Sequence, residues 1–384
     1  MMTITDFYCN QKFNYLSVDV ERRSIKSCCA ATPTRIDLTW LKQHPGQLFN
    51  SELLQKERRN MLDNIPVDSC QDACWIPESR NIPSRRLLYN GQQRIHTSIQ
   101  SYPETLNIIL GSSCNLTCSY CDKEYSTAWL RDIVDNGEYL PTSKFQLTPV
   151  DQLTLKISQK EHQQSDGFNV LIEEIKNFSN LKEIYINGGE PFLYNSFADL
   201  VSSLSNTNNI IKINTGLGVN YKRLEAQLDK IDPTKVIMIV SAETTEQLYE
   251  FNRYGITYQQ FCNNLNLLKE RGFTVRYDAV ISNLTIFGLS KFVQEHGDKN
   301  ISYQFCNDPS YLGVNVVDPA SAVQLIDEIN NSTISIRNEI VQGITSPNTE
   351  EDRSRCSIFL KEFARRRNLS LDIFPSSLLT WLGI

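Results

Sequence analysis

CNLTCSYC, residues 114–121, contains three of the chain's 11 cysteines within eight positions. Four cysteines complete a structural zinc site, whereas three leave one coordination position open for another ligand. The stretch follows an apolar run, TLNIIL at residues 105–110, that predicts a strand. Because parallel β/α folds place their active sites at the carboxyl ends of strands, we interpret the three cysteines as part of an active site.

A repeating pattern begins near residue 105, in which a short apolar run, a turn and an amphipathic stretch of helical period follow one another. The apolar runs predict strands at 105–110, 183–187, 210–214, 236–241, 274–281 and 301–305. The amphipathic stretches predict helices at 168–178, 196–205, 221–231 and 258–272. Apolar strands that alternate with helices form a parallel sheet covered by helices. The six strands therefore predict the α/β class and a partial (β/α)6 TIM-like barrel.

The overall composition is typical of a soluble globular protein. The chain has 384 residues, of which 21% are charged, and its net charge of -6 favours neither nucleic acid nor an anionic membrane as a partner. The sequence opens without a cationic region and apolar run, and no stretch approaches the roughly 20 apolar residues that span a bilayer. We therefore expect a cytoplasmic protein, in which clustered cysteines serve metal binding or catalysis rather than disulfides.

A second motif, NGGEP at residues 187–191, follows the second predicted strand. Gly188 and Gly189 lack a Cβ atom, so the backbone can approach a ligand closely and offer carbonyl groups to an ammonium group. Glu190 adds negative charge, and Pro191 stiffens the turn. Either motif alone has a structural explanation, as a turn or as part of a zinc site, but the two together in this order are much more specific.

The spacing Cys114-x-x-x-Cys118-x-x-Cys121, with Tyr120 before the third cysteine, resembles the signature of radical SAM enzymes, and NGGEP resembles their Gly-Gly-Glu-Pro motif. The resemblance implies that these cysteines are the catalytic centre and hold a [4Fe-4S] cluster whose open iron is chelated by S-adenosylmethionine (SAM). One electron then cleaves SAM to methionine and a 5'-deoxyadenosyl radical, which abstracts hydrogen from the substrate. The resemblance also implies that the SAM-binding residues are Tyr120, Gly188, Gly189, Glu190, Pro191, Asn214 and Ser241.

Five further cysteines precede the predicted barrel: Cys9, Cys28, Cys29, Cys70 and Cys74. Four are enough to close a metal site. The group resembles the auxiliary iron-sulfur modules called SPASM and twitch domains, in particular a subgroup in which the module precedes the barrel. That subgroup has a Cys-Cys pair, then Cys-x-x-x-Cys-Trp, a Glu and Ser-x-Arg. The matching residues here are Cys28-Cys29, Cys70 to Trp75, Glu78 and Ser84-Arg85-Arg86.

The better-known modules follow the barrel, carry more cysteines and have a glycine before the second ligand, which this chain lacks. The type of auxiliary cluster and the choice between Cys28 and Cys29 as a ligand therefore stay open, and a structural zinc knot is the alternative. Arg80, Arg85 and Arg86 lie between the last of these cysteines and the first predicted strand of the barrel. They form either a solvated basic face or a contact for an anionic part of the substrate.

The chain divides in this interpretation into a cysteine-rich module at residues 1–100, a radical SAM partial barrel at 101–310 and a C-terminal helical extension at 311–384. Residues 131–165 are long and polar for one connection and predict an inserted surface segment. Asn214 and Ser241 end the third and fourth strands of the barrel. Polar side chains at these positions either touch SAM or only satisfy backbone groups.

We expect an enzyme that acts on a small molecule resembling a sugar, a nucleotide or an amino acid and that receives electrons from a flavodoxin or ferredoxin. A peptide substrate, as in maturases of ribosomally made peptides, is one alternative. No region resembles a small winged-helix docking domain, which favours the small molecule. A noncatalytic zinc-binding scaffold is the alternative from another class. The fold does not choose the reaction, and the oligomeric state stays open.

Overall fold

The computed structural model describes residues 6–80, 82–84, 86–87, 98–99, 102–140, 166–179, 181–205 and 208–384. The strands in these ranges are β1 (Tyr15–Asp19), β2 (Ser24–Lys26), β3 (Thr34–Arg35), β4 (Thr105–Ile109), β5 (Thr117–Cys118), β6 (Glu183–Asn187), β7 (Ile210–Thr215), β8 (Val236–Ser241), β9 (Arg253–Tyr254), β10 (Thr274–Ile281) and β11 (Ile301–Phe305). The helices are α1 (Gln11–Asn14), α2 (Leu38–Gln43), α3 (Glu52–Leu62), α4 (Ile76–Ser79), α5 (Thr127–Asn136), α6 (Asp166–Lys176), α7 (Phe197–Leu204), α8 (Tyr221–Leu228), α9 (Glu246–Asn252), α10 (Tyr258–Glu270), α11 (Ile286–His296), α12 (Pro319–Asn330), α13 (Arg337–Thr345), α14 (Glu350–Arg367) and α15 (Ser376–Leu382). None of these helices combines the length and the apolar character that a membrane span needs.

The chain forms two compact units. Unit 1 takes in residues 1–111, 158–213 and 230–236. Its strands lie in the order β3-β2-β1-β4-β6-β7. β1, β4, β6 and β7 run parallel, whereas β2 and β3 extend the sheet in antiparallel fashion beside β1. α7 connects β6 to β7 and buries an apolar stripe that includes Phe197 and Val201.

β1 is a parallel strand that the sequence pattern does not reveal. Tyr15 pairs with Thr105 at one end of β1, and Asp19 pairs with Ile109 at the other, so β1 continues the parallel sheet beside β4. All five side chains of β1 are buried, although Ser17 and Asp19 are polar. Residues before position 100 therefore contribute to this sheet. The predicted division of the chain at residues 100 and 310 stays a prediction.

Unit 2 takes in residues 112–157, 214–229 and 237–384. β8, β10 and β11 run parallel in it, with Ile237 opposite Thr274 at the start of the first pair. β5 and β9 form a short antiparallel pair. α14 and α15 contribute to an apolar cluster that includes Trp129, Phe363 and Phe374, so the C-terminal helices pack onto the rest of this unit.

Side-chain caps determine where several of these helices begin. Asn220 accepts a hydrogen bond from the backbone N–H of Lys222 at 2.9 Å at the start of α8. Thr257 does the same for Gln260 at the start of α10, at 3.1 Å. Each cap satisfies a backbone donor that has no partner inside its helix. The short polar residues between apolar patterns therefore mark the helix starts in the sequence.

The predicted α/β class is confirmed. The six predicted strands appear as β4, β6, β7, β8, β10 and β11, each within one residue of its predicted bounds. The four predicted helices appear as α6, α7, α8 and α10, with ends within three residues of the prediction. α5 occupies the start of the inserted segment predicted at 131–165, and residues 141–165 lie outside the described ranges.

Candidate active site

The cysteine loop, residues 112–126, leads into α5 of unit 2 and is held by the first turn of that helix. The hydroxyl of Thr127 donates to the carbonyl of Cys114 at 3.0 Å and accepts the backbone N–H of Cys114 at 3.2 Å. The indole N–H of Trp129 donates to the carbonyl of Cys118 at 2.9 Å. α5 thus fixes the backbone at two of the three cysteines.

The three thiols of the cysteine loop lie near one another. Cys118 is buried, and Cys114 and Cys121 are half-buried. The Leu116 N–H donates to the Cys114 sulfur at 3.4 Å, and Nη1 of Arg253 donates to the Cys118 sulfur at 3.7 Å. Burial raises the pKa of the Cys118 thiol. Burial, then the neighbouring Cys118 and Cys114, raise the pKa of Cys121 well above its ordinary value. Cys121 is therefore close enough to both Cys118 and Cys114 for their charges to interact, as ligands of one centre must be.

Glu243 and Arg253, which the sequence patterns did not single out, form a buried ion pair with an Nη2–Oε2 distance of 2.8 Å. Their side chains are 0% and 3% exposed. Tyr120 donates its hydroxyl to both carboxylate oxygens of Glu243, at 3.0 Å each. Burial opposes the charge of Arg253, but Glu243 keeps the pKa of the guanidinium well above its ordinary value. The sequence signal for Glu243 is a carboxylate two residues after a predicted strand.

The NGGEP motif lies in unit 1 at the end of β6. Gly188 has a φ of +127°, and a Cβ atom there would meet the carbonyl oxygen of Gly111 at 2.6 Å. The N–H of Gly189 donates to the same oxygen at 2.7 Å. Glu190 is 1% exposed, and its carboxylate caps the short 3-10 turn that begins at the buried Pro191. The motif thus forms a tight turn in which glycine is required at position 188.

Asn187, the first residue of the motif, ends a row of polar side chains across β1, β4 and β6. Its amide nitrogen donates to Oδ1 of Asn107 at 2.8 Å, and the amide nitrogen of Asn107 donates to the hydroxyl of Ser17 at 2.9 Å. The Oδ1 atom of Asn187 is buried and has no hydrogen-bond partner within the described ranges. A buried acceptor without a donor is costly, so this atom is a candidate contact for a ligand.

Asn214 and Ser241, the two candidates at strand ends, are half-buried in unit 2. The amide nitrogen of Asn214 donates to Oδ2 of Asp278 at 3.4 Å. Asp278 is also the residue opposite Ser241 in the pairing of β8 with β10. Burial raises the pKa of Asp278, although the hydrogen bond from Asn214 works in the other direction. Asp278 could have been noticed in the sequence, because it is an acidic residue within a predicted strand, 274–281.

The cysteines before residue 100 form a second group, in unit 1. Cys9, Cys28, Cys70 and Cys74 are buried, and Cys29 is half-buried. Burial raises the pKa of the Cys70 thiol to about 11, and Cys74 and Cys9 add to the increase. Burial and the nearby Cys74 raise the pKa of Cys9. The hydrogen bond with Cys29, burial and the nearby Cys9 raise the pKa of Cys28. Thiols that are far apart in the sequence therefore converge in one buried cluster.

Glu78, Ser84 and Arg86 form one network beside this group. The hydroxyl of Ser84 and the guanidinium of Arg86 both donate to the carboxylate of Glu78. Nη1 of Arg86 also donates to the carbonyl of Tyr8 at 3.0 Å. Arg86 is 5% exposed, so the prediction of a solvated basic face is wrong for this residue, which is the partner of a buried carboxylate. Arg80 is exposed, and Arg85 lies outside the described residues.

No three His, Cys, Asp or Glu side chains in the described part of the chain are arranged to hold a single metal ion. An iron-sulfur cluster is larger than one ion, and its ligands stand further apart. Cys306 and Cys356 are buried, and Cys262 is half-buried. Cys356 accepts a hydrogen bond from Asn283 at 3.2 Å, as expected of a structural side chain.

Residues 108–292 match the family described as the Radical SAM superfamily. This region is a radical SAM domain. It contains the cysteine loop, the NGGEP motif and the Glu243–Arg253 pair. The expected resemblance to radical SAM enzymes is therefore confirmed, whereas the auxiliary module stays a hypothesis. No curated protein matches the chain.

Three solved structures are distantly similar to between 68% and 92% of the chain. Native anSMEcpe with bound AdoMet is 15% identical, with a TM-score of 0.35, over 68% of this chain and 60% of that one. Streptococcus suis SuiB bound to S-adenosylmethionine is 13% identical, with a TM-score of 0.37, over 92% and 77%. TYW1 with a lysine-pyruvate adduct bound is 14% identical, with a TM-score of 0.34, over 68% and 82%. The chain thus spans about three fifths of the length of anSMEcpe. The assignment of residues 108–292 to the superfamily rests on the family match alone.

A radical SAM domain implies a [4Fe-4S] cluster and SAM, and the cysteine loop fits that group. It offers three thiols, and Cys121 interacts with the other two. α5 fixes the backbone at Cys114 and Cys118, and a backbone N–H donates to the Cys114 sulfur. Three thiolates gather negative charge, and Arg253 supplies a buried positive charge in contact with Cys118. The number, type and surroundings of the donors therefore suit a cluster with three protein ligands.

Proposed function

We propose that the chain is an enzyme that cleaves SAM reductively and abstracts hydrogen from a small molecule resembling a sugar, a nucleotide or an amino acid. The observation that carries the proposal is the convergence of Cys114, Cys118 and Cys121 in the loop that leads into α5 of a radical SAM domain. Three thiols and not four leave one iron free for SAM. The electron comes from a flavodoxin or a ferredoxin.

The residues of the domain take separate parts in this proposal. Cys114, Cys118 and Cys121 would hold the cluster, which when reduced would supply the electron that splits SAM into methionine and a 5'-deoxyadenosyl radical. Tyr120 has its hydroxyl tied to a buried carboxylate, so its ring has a fixed orientation for packing near the adenine. Asn214 holds its amide against Asp278, which sets the direction of the amide oxygen as a candidate SAM contact.

The NGGEP motif supplies backbone groups for SAM in this proposal. Because Gly188 and Gly189 have no side chains, their carbonyls are accessible to the amino group of SAM. Glu190 and Pro191 shape the turn, since the carboxylate caps the 3-10 turn that the proline begins. Ser241 at the end of β8 is a further proposed SAM contact.

A second cluster in unit 1 forms the finer part of the proposal. Cys9, Cys70, Cys74 and one thiol of the Cys28-Cys29 pair are its ligands. Support comes from their burial and from the interaction of Cys9 with Cys28, Cys70 and Cys74. A cluster with four protein ligands has no open iron, so we propose that it relays an electron to or from the substrate rather than binding SAM.

Anaerobic purification with iron and sulfide analysis tests the function. We expect a brown protein that forms 5'-deoxyadenosine from SAM when dithionite is added. Cys118→Ala should form no 5'-deoxyadenosine and should lose the iron and sulfide of one cluster. The control is Cys262→Ala, at a half-buried cysteine outside the two cysteine groups, and it should keep the product and the wild-type iron content. A colourless, zinc-loaded protein would establish the scaffold instead. An iron-loaded protein that forms no 5'-deoxyadenosine would also contradict the proposal.

A further inference from the structure

The Glu243–Arg253 pair occupies the ends of two elements in unit 2. Glu243 lies just after β8, and Arg253 follows α9 and begins β9. Both side chains are almost completely buried, and the pair is close, at 2.8 Å. Removing two charges from water is expensive, and buried pairs of this kind often contribute little net stability. Another role therefore has to be considered for a pair at this depth.

The strand register brings Arg253 to a cysteine sulfur. β9 pairs with β5 so that Arg253 lies directly opposite Cys118. The next residue pair fixes this register, because the Ser119 N–H donates to the carbonyl of Asn252 at 2.8 Å and the Ser119 hydroxyl donates to its Oδ1 atom at 2.7 Å. Nη1 of Arg253 then donates to the sulfur of Cys118 at 3.7 Å. The backbone register therefore brings the side chain of Arg253 to Cys118.

The other end of the pair holds the aromatic residue of the cysteine loop. Glu243 accepts the Tyr120 hydroxyl at both of its oxygens. The guanidinium carbon of Arg253 also lies 5.5 Å from the centre of the Tyr120 ring, within the range of a cation–π contact. Arg253 and Glu243 therefore contact two residues of the loop, Cys118 through its sulfur and Tyr120 through its ring and hydroxyl.

The donors of Arg253 are not all used within the described ranges. Nη1 meets the sulfur and Nη2 meets Glu243, but the buried Nε atom has no acceptor there. An arginine retained only to stabilise the fold would be expected to have its donors satisfied, and buried exceptions are often associated with function. The contacts that Arg253 does make place its positive charge beside the sulfur of Cys118.

We propose that Arg253 is a positioning residue that raises the reduction potential of the cluster at the cysteine loop, and that Glu243 limits this increase. The inference rests on the proposed function. A cluster gains negative charge when it is reduced, and both a nearby positive charge and an N–H donor to a ligand sulfur stabilise that state. Glu243 acts in the opposite direction, because its negative charge disfavours the reduced cluster.

A redox titration followed by electron paramagnetic resonance measures the effect on the cluster that Cys118→Ala loses. Arg253→Gln should shift its midpoint potential downward, and Glu243→Gln should shift it upward, at unchanged iron and sulfide content. Arg253→Lys keeps the charge but presents a shorter donor, so its potential should lie between those of the wild type and Arg253→Gln. The control is Arg366→Gln, at an equally buried arginine of unit 2 paired with Glu362 and Asp132, and it should leave the potential unchanged.

Opposite shifts at constant iron content would not arise from a merely structural pair, which would lower cluster content in both variants without moving the potential. The proposal is overturned if the iron-loaded variants keep the wild-type potential or shift in the same direction. If Arg253→Gln does not fold, Glu243→Gln and Arg253→Lys carry the same test. A wild-type protein without iron or 5'-deoxyadenosine formation contradicts the proposed function itself, whereas a functional wild type with unmoved potentials contradicts only this inference.

Discussion

Gly188 lies so close to the carbonyl oxygen of Gly111 that a Cβ atom at position 188 would be 2.6 Å from that oxygen. The φ of Gly188 is +127°, a conformation that residues with side chains rarely adopt. Two independent features therefore require glycine here. The contact also holds the end of β6 against the segment that follows β4, because Gly189 donates to the same oxygen.

Gly188→Ala should weaken SAM binding at least about tenfold, since strain and the clash together exceed the roughly 1.4 kcal/mol that a factor of ten requires. Equilibrium binding of SAM to the anaerobic protein measures the effect. Gly137→Ala is the matched control: its φ is +83°, but no atom lies within 4 Å of the added Cβ, so it tests strain without a clash. Equal SAM affinity in Gly188→Ala and the wild type would show that this turn does not shape the SAM site.

The Cys28-Cys29 pair allows a prediction about the ligands of the second cluster. Cys28 is buried and interacts with Cys9, whereas Cys29 is half-buried. We expect Cys28→Ser and Cys74→Ser each to lose the iron and sulfide of one cluster, and Cys29→Ser to keep them. Iron and sulfide counts per chain after anaerobic reconstitution measure this. A Cys70→Ala, Cys74→Ala variant that keeps every iron rules out an auxiliary cluster.

The buried Glu78–Arg86 pair predicts a large effect on stability. Arg86→Met leaves the Glu78 carboxylate buried without a charged partner, which should lower the free energy of unfolding by about 3–5 kcal/mol. The double variant Glu78→Leu, Arg86→Met removes both charges and should recover much of the loss. Lys230→Met, which breaks an exposed pair with Asp199, should change stability by less than about 1 kcal/mol. Denaturant unfolding of the apoproteins measures these changes. Similar losses of stability in Arg86→Met and Lys230→Met would contradict the prediction.

Local patterns are sufficient to predict the six parallel strands, because each of them is a short apolar run in a region where such runs alternate with amphipathic stretches. The same patterns do not predict β1. Its sequence YLSVD includes Ser17 and Asp19, both buried, and Ser17 is satisfied by Asn107 on the neighbouring strand. Only the long-range pairing makes such a strand stable, and a pattern within one segment carries no information about it.

The site shows the same division between local and long-range information. The cysteine spacing is local and predicts a shared centre, and the interaction of Cys121 with Cys114 and Cys118 agrees with it. The contact of Arg253 with Cys118 depends on the register of β5 with β9, which joins residues far apart in the sequence. Arg86 likewise reads as a surface charge until its partner Glu78 is known. Charged residues that pair in the interior therefore cannot be told from solvated ones by sequence alone.

His296 predicts a loss of stability in mild acid. Its ring packs 4.6 Å from that of Tyr277 and 4.5 Å from that of Phe292, and its Nε2 atom is buried without a partner in the described part of the chain. Burial, with a contribution from the charge of Lys269, lowers the pKa of His296 to about 4, from an ordinary 6.5. The unfolded chain therefore binds the proton first as the pH falls below about 6.5, and the folded chain takes it up only near pH 4.

The free energy of unfolding should consequently fall between about pH 6.5 and pH 4, by roughly 1–2 kcal/mol from this residue, because solvent screens a ring that is partly exposed. His296→Phe keeps the packing against Tyr277 and Phe292 but cannot bind a proton, so its stability should depend less on pH in this window. Tyr277 does not titrate there, because burial raises its pKa to about 12. Denaturant unfolding of the two apoproteins at several pH values measures the difference, and parallel curves for wild type and His296→Phe would exclude His296 as the source.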